Sequence, residues 1–151
     1  MEFDISVAIR CPPEAVFALL ADIQRYTGQP GSPVPEMEKL PPGPTGVGTR
    51  WREVVRLLPG VTMTMWSEVT AIEPGRRLEE TFRGPWMTGT LAYSIQPQNG
   101  GAVLRQRETL EPHGPLRVVA GRMERMLRPR VVDRLGVIRD VLEREAETAR
   151  C

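Results

Sequence analysis

Residues 115–144 read PLRVVAGRMERMLRPRVVDRLGVIRDVLER. Leu116, Ala120, Met123, Leu127, Val131, Leu135, Ile138 and Leu142 step by three or four positions, which draws one apolar stripe along a helix. Arg117, Arg122, Arg125, Arg128, Arg139 and Arg144 fall mostly on the other face, with Glu124, Asp133, Asp140, Glu143, Glu145 and Glu147 among them. Such mixed charge reads as a solvated, salt-bridged surface rather than a membrane-binding one. Pro129 lies inside the run, and a kink is predicted there because proline removes a backbone hydrogen bond and crowds the preceding turn. A helix with a single apolar stripe needs a surface to cover. The residues before it supply one.

Working back from Pro112-His113-Gly114-Pro115, where this helix opens, the period changes to two. Leu104 and Leu110 share a side with Gln106 and Glu108 in a strand over Ala102–Leu110. Asn99-Gly100 signals a tight hairpin. Met87, Gly89, Leu91, Tyr93 and Ile95 form one face of the strand before it, and Gly84-Pro85 breaks the chain ahead of that. Leu78, Glu80 and Phe82 alternate with Glu79, Thr81 and Arg83. In 61–72, Met63, Met65, Val69 and Ala71 oppose Thr62, Thr64, Glu68 and Thr70. Trp51, Val55 and Leu57 alternate with Arg50, Arg52 and Arg56. Glu73-Pro74-Gly75 and Leu58-Pro59-Gly60-Val61 are turns by composition.

The N-terminal part differs. Phe3, Ile5, Val7 and Ile9 alternate with polar residues, a half-buried strand. Pro12-Pro13-Glu14 then opens a short helix carrying Val16, Phe17, Leu19 and Leu20, because proline is tolerated in a first helical turn and Glu14 suits its positive end. A second short helical turn is predicted with Ile23 and Tyr26. Thr27 to Gly46 is dense in Pro and Gly and reads as a loop over the domain, with a short strand inside it at 36–40. Strands joined by hairpins and followed by a helix give an α+β class. The expected architecture is a curved antiparallel sheet of about six or seven strands wrapped around the long C-terminal helix, with two short helices after the first strand. The 151 residues suit one domain over 1–151.

Composition excludes several functions. A net charge of +1 gives no basic surplus for nucleic acid. All but Lys39 of the 20 basic residues are arginine, but they are spread along the whole chain, as a general composition bias would spread them. Cys11 and Cys151 sit too far apart to form a disulfide framework, no basic-then-apolar leader or membrane-length segment is visible, and a cytoplasmic location is expected. The chain lacks CxxC, HExxH, a P-loop and GxSxG, so no metal and no cofactor is expected. Its one histidine, His113, stands between Pro112 and Gly114 and reads as a capping or loop residue.

Three segments resemble one group of proteins. Cys11-Pro12-Pro13-Glu14-Ala15-Val16-Phe17-Ala18-Leu19-Leu20-Ala21-Asp22 is similar to the "ApxevVwxlLxD" opening of the START-like, helix-grip (SRPBCC) superfamily, and of its polyketide cyclase/dehydrase-like and coenzyme-Q-binding-like branches. Gly46-Val47-Gly48-Thr49-Arg50-Trp51 resembles its "GxGtxxr" strand start, and Ile72-Glu73-Pro74-Gly75-Arg76-Arg77-Leu78 its "xxPprrl" turn. The resemblance covers essentially the whole chain. It is specific for architecture and weak for chemistry. Where the group often has a Trp after the Asp22–Tyr26 region, this chain has the Pro/Gly-rich loop.

The candidate site follows from the inward faces. Trp51, Glu53, Val55, Met63, Met65, Met87, Leu91, Tyr93, Leu104, Gln106, Glu108, Met123 and Leu127 are the expected ligand-binding residues, because a few polar groups among apolar walls are the usual composition of a pocket. Two alternatives stay open. The polar members could pair with Arg50, Arg52, Arg56, Arg105 or Arg107 at strand ends or leave the face at a bulge, and the methionines could be ordinary core filler. The favoured function is binding of a small apolar or amphipathic molecule (a lipid, quinone or polyketide-like compound) by a monomer or homodimer with no nucleic-acid partner and no integral membrane segment. The resemblance also implies an alternative, a polyketide cyclase/aromatase-type enzyme with Glu53, Tyr93 or Glu108 as acid or base. An interaction module with a filled core is a third reading, and the residues leave turnover open.

Overall fold

A computed structural model of the chain describes residues 1–22, 36–58 and 60–150. The second short helix expected at Ile23 and Tyr26, and most of the loop after Thr27, lie outside the described residues. Strand β1 (Glu2–Ile9) leads into helix α1 (Pro13–Ala21). Strands β2 (Glu36–Leu40), β3 (Arg50–Leu58), β4 (Val61–Glu73), β5 (Arg77–Arg83), β6 (Met87–Gln98) and β7 (Gly101–Pro112) follow, then a 3₁₀ helix (Gly114–Val119) and helix α2 (Ala120–Arg150). The seven strands form one curved sheet in the order β1-β7-β6-β5-β4-β3-β2, antiparallel throughout. This is the helix-grip arrangement that the alternating strands and terminal stripe predicted.

Local chemistry sets the corners. Asn99 (φ 41°) and Gly100 (φ 82°) form a two-residue loop between the paired residues Gln98 and Gly101. Both loop residues are left-handed, as the twist of a tight hairpin requires, and Asn and Gly are the residues that accept that conformation. Helix α1 starts with Pro13 in its first turn and Glu14 beside it, and buries Val16, Leu19 and Leu20.

Two expectations are corrected. The register of β4 and β5 shifts between Val69 and Ala71, so the inward set passes to Ile72, which packs on the core, instead of continuing to Ala71. The terminal helix also does not begin as α-helix at Pro115. Gly114 (φ 56°) turns the chain out of β7, residues 114–119 form the 3₁₀ helix, and α-helix starts only at Ala120. Val118 and Val119 are β-branched and have little preference for α-helix. From Ala120 the helix continues through Pro129, which is exposed.

The core divides into two apolar clusters. One gathers Ile9, Val16, Leu19, Leu20, Trp51, Val69, Leu78, Tyr93, Ile95 and Leu104 beneath Leu135, Ile138 and Leu142 of α2. The other gathers Phe3, Met63, Met65, Met87 and Leu110 beneath Met123, with Leu127 and Val131 packed against it. The Arg128 guanidinium lies over the Phe3 ring, 5.1 Å from its centre.

Candidate functional site: a polar belt between two apolar clusters

Four inward faces carry polar residues between apolar ones. On β3, Glu53 stands between Trp51 and Val55; on β4, Ser67 between Met65 and Val69; on β5, Glu80 between Leu78 and Phe82. On β7, Gln106 and Glu108 separate Leu104 from Leu110. Each flanking pair has one side chain in or packed on each cluster. The alternation of a strand puts these polar residues on the core face, and the register brings Glu80 and Glu108 into one row. Glu80 pairs with Leu91 of β6, and Leu91 pairs with Glu108.

Helix α2 brings Leu127, Arg130, Val131 and Arg134 over this belt. A cavity of about 140 Å³ is left between helix and sheet. Val55, Met63, Met65, Phe82, Met87, Leu110, Leu127 and Val131 make its apolar wall, while Glu53, Ser67, Glu80, Gln106, Glu108 and Arg134 make the polar one. An apolar cavity of about 150 Å³ accommodates one benzene-sized ring, so ring-sized groups enter this space without rearrangement. Longer ligands need the methionines to move, which their three rotatable bonds allow.

The belt is incompletely satisfied. Gln106 is 1% exposed. Its Nε2 donates to Glu108 Oε2 at 2.9 Å, which leaves Oε1 buried with no partner among the described residues. Tyr93 Oη and Trp51 Nε1 are likewise buried and unpartnered. Burying a polar atom without a hydrogen bond costs about 1–3 kcal/mol, and native proteins keep few such atoms.

Charge follows the same geometry. Burial, then the neighbouring Glu53 and Glu108, push the Glu80 carboxyl up to about 8 against the pull of Arg134. At neutral pH Glu80 therefore carries a proton. Burial also raises Glu53 and Glu108, and Arg134 opposes both shifts. Burial is the main cause of the raised Tyr93 phenol. The Arg134 guanidinium is held firmly charged, first by Tyr93, then by Glu53, Glu108 and Glu80, against its own burial. Among the described residues no ion pair joins Arg134 to any of these carboxylates. It acts on them across the cavity rather than by contact.

Of the residues expected from sequence, Glu53, Val55, Met63, Met65, Met87, Leu91, Gln106, Glu108 and Leu127 line the cavity. Trp51, Tyr93 and Leu104 do not: they are packed in the first cluster, one step further along their strands. Met123 is packed in the second cluster, a turn before Leu127. Strand arginines find carboxylates outside the belt. Arg52 pairs with Glu38, and Arg105 and Arg107 with Asp4. His113 is exposed, with Nε2 at 2.8 Å from Thr88 Oγ1.

Sequence reasoning missed Ser67, Glu80, Phe82, Leu110, Arg130, Val131 and Arg134 as wall residues. Two carried a usable signal. Glu80 sits between Leu78 and Phe82 at strand spacing, and Arg134 lies three residues beyond Val131 and one before Leu135, within the apolar stripe. An arginine there must be answered by opposite charge on the sheet.

Among the described residues, no cluster of three or more His, Cys, Asp or Glu could hold a metal ion. No described helix is long and apolar enough to cross a membrane.

Known structures share this architecture. A protein from Thermus thermophilus superposes with a TM-score of 0.76 at 19% identity, over 94% of this chain and 97% of its own. A protein from Rhizobium leguminosarum gives 0.75 at 12%, over 95% of both chains. The Zhui aromatase/cyclase from Streptomyces sp. R1128 gives 0.76 at 18%, over 97% of this chain and 95% of its own. At such identities the likeness is one of fold. No curated protein shows significant sequence similarity. The sequence family described as polyketide cyclase/dehydrase and lipid transport matches residues 1–143, nearly the full length of the helix-grip structure, and the chain belongs to that family.

Proposed function

We propose that this protein binds a small, largely apolar molecule bearing one polar group, held between the sheet and α2. The observation that carries the reading is the cavity of about 140 Å³ between sheet and helix, in which polar side chains such as Glu80, Glu108 and Gln106 interrupt an otherwise apolar wall. An apolar wall supplies burial and a few fixed polar groups supply orientation, which is how small-molecule sites are built. The family's breadth, from cyclases to lipid transport, supports a hydrophobic ligand of lipid, quinone or polyketide-like character. On this reading residues 1–151 act as one cytoplasmic domain, as monomer or homodimer. Native mass spectrometry of the purified protein tests it. A bound small molecule adds mass to the 16.9 kDa chain, and Leu127→Trp, which fills the space, removes it. A chain that carries no ligand from cells and is stabilised by none in a screen of apolar compounds would sink the reading.

A second reading, a cyclase-type enzyme, is favoured by one observation. Glu80 faces the cavity and holds a proton at neutral pH, opposite the charged Arg134. A neutral carboxyl can donate to a carbonyl oxygen, and a fixed cation stabilises the negative charge that develops there. Glu80→Gln would then abolish turnover of a β-polyketone substrate while binding persists. Unchanged turnover removes Glu80 from the chemistry.

A further inference from the structure

We propose that the end of the molecule formed by the β5–β6 loop and the 3₁₀ helix docks on the surface of an anionic lipid bilayer. Trp86, Val118 and Val119 enter the interface there, and Arg117, Arg122 and Arg125 meet lipid phosphates. The proposal goes beyond the small-molecule reading and adds a partner. The three apolar side chains are exposed, Val118 at 89%, Trp86 at 41% and Val119 at 39%, and none of them joins either core cluster. They also stand together. The Trp86 carbonyl accepts a hydrogen bond from His113 N at 2.7 Å, and Trp86 Cδ1 lies 3.4 Å from where a Cβ on Gly114 would stand. Gly114 opens the 3₁₀ helix that Val118 and Val119 close. Exposed apolar side chains gathered in one place mark a contact surface. On its inner side the same loop lies against the cavity wall, because a Cβ on Gly84 would collide with the Met65 sulfur.

Charge names the partner. Taken as a whole the C-terminal helical segment mixes acids with arginines, but its two halves differ. Residues 114–130 hold five arginines and one acid, Glu124, whereas residues 131–150 hold four arginines and five acids. Glu124 is answered by Arg128 at 3.2 Å. Arg117, Arg122 and Arg125 are exposed and, among the described residues, form no ion pair. The nearest acid before them in sequence is Glu111, at the end of β7. A guanidinium grips phosphate oxygens through its planar fork, and each arginine held near an anionic leaflet adds to the attraction. Tryptophan favours the headgroup level, where its ring meets acyl chains and its N–H meets water. Protruding apolar side chains flanked by unpaired arginines suit a fluid surface, which accepts them without a matching shape.

Co-sedimentation with vesicles of phosphatidylcholine, with and without about 30% phosphatidylglycerol, tests the proposal. The full chain should bind the anionic vesicles at least 10-fold more tightly than the neutral ones. Two variants each remove one half of the surface: Arg117→Gln/Arg122→Gln/Arg125→Gln takes its charge, and Trp86→Ser/Val118→Ser its apolar part. Either should weaken binding to anionic vesicles at least 10-fold. All five side chains are exposed, so thermal midpoints should stay near that of the unaltered chain. A charge-matched control, Arg50→Gln/Arg76→Gln/Arg144→Gln, removes three exposed arginines outside this surface and should leave binding unchanged. No binding to anionic vesicles, or equal binding to both kinds, overturns the proposal. Equal losses in the two arginine variants overturn the assignment to this surface, and full binding by Trp86→Ser/Val118→Ser overturns the insertion of its apolar side chains. None of these readouts involves a molecule in the cavity, so failure here leaves the small-molecule reading standing.

Discussion

Glu80 and Glu108 lie in one cross-strand row, each the register partner of Leu91 from opposite sides. Two strand spacings put their backbones about 9.5 Å apart, so they share the cavity without touching. A ligand or solvent molecule entering the cavity can reach both at once.

The first prediction concerns pH. The groups facing Glu80 are Glu53 on β3, Glu108 on β7, Tyr93 on β6 and Arg134 on α2. Folding raises the Glu80 carboxyl from 4.5 to about 8. The unfolded chain therefore loses this proton first. Between those values the native state binds more protons than the unfolded one, so stability falls as pH rises. The full window corresponds to about 5 kcal/mol for this group. Glu53 and Glu108 shift in the same direction. Ligand-free protein should be markedly more stable to urea at pH 5 than at pH 8.5, and Glu80→Gln should flatten much of the slope and stabilise the protein at pH 8.5. A wild type whose midpoint rises through this window would show that Glu80 is not held protonated.

Arg134 supplies the second. It is half-buried and held charged by the groups around it. Removing one side of a buried charge cluster leaves the other uncompensated, at a cost of roughly 3 kcal/mol or more. Arg134→Met keeps the apolar stem of the side chain and removes its charge. The cost should be larger at pH 8.5, where Glu80 ionises, than at pH 5, where it is protonated. Equal losses at both pH values would mean that Arg134 contributes packing rather than charge.

How far the sequence disclosed all this depends on which residue is asked. The strands were legible because Met87, Leu91, Tyr93 and Ile95 repeat at even spacing and Asn99-Gly100 admits one kind of turn. The helix was legible from its stripe. Parity identified Glu53, Gln106 and Glu108 as inward, and they line the cavity. Parity does not report height along the strand. Trp51, Glu53 and Val55 are equivalent to it, yet Trp51 is packed in one cluster, Val55 packs on the other and Glu53 meets the gap between them. Nor does parity cross a bulge, which is why Ala71 and Ile72 exchange places. Arg134 belongs neither to the apolar residues of the stripe nor to the six arginines read as the outer face, so the pattern left it unassigned.

Gly89 gives the third prediction. It occupies an inward position on β6, where an added Cβ would meet Thr109 O at 2.0 Å and the Phe82 ring at 2.5 Å. Phe82 forms part of the cavity wall. The absence of a side chain at Gly89 lets that ring approach the sheet closely. Gly89→Ala should destabilise by about 3 kcal/mol, the upper range for overpacking, since one contact is to backbone and cannot yield. Gly46→Ala, where nothing lies within 4 Å, is the control and should change stability little. A neutral Gly89→Ala in a urea titration would show that β6 can lift away from β7 without penalty.

The last prediction separates packed core from cavity wall along one helix. Leu135 is 1% exposed and packed in the larger cluster. Leu127, two turns earlier, is half-buried and borders open space. Leu→Ala costs the lost transfer free energy plus a contribution for the new void, about 2–5 kcal/mol in all. At Leu135 the surrounding side chains are held from several directions and both contributions apply, so Leu135→Ala should cost near the top of that range. At Leu127 part of the surface already faces the cavity, and fewer contacts are lost. Leu127→Ala should cost about 2 kcal/mol or less. It should also enlarge the cavity, so that a ligand too bulky for the wild type gains affinity in the variant while Leu135→Ala gives no such gain. Urea midpoints for the two variants, measured with and without a bulky substituted benzene, read out both halves. Equal destabilisation with no change in ligand size preference would mean that α2 closes down on the sheet when Leu127 is trimmed.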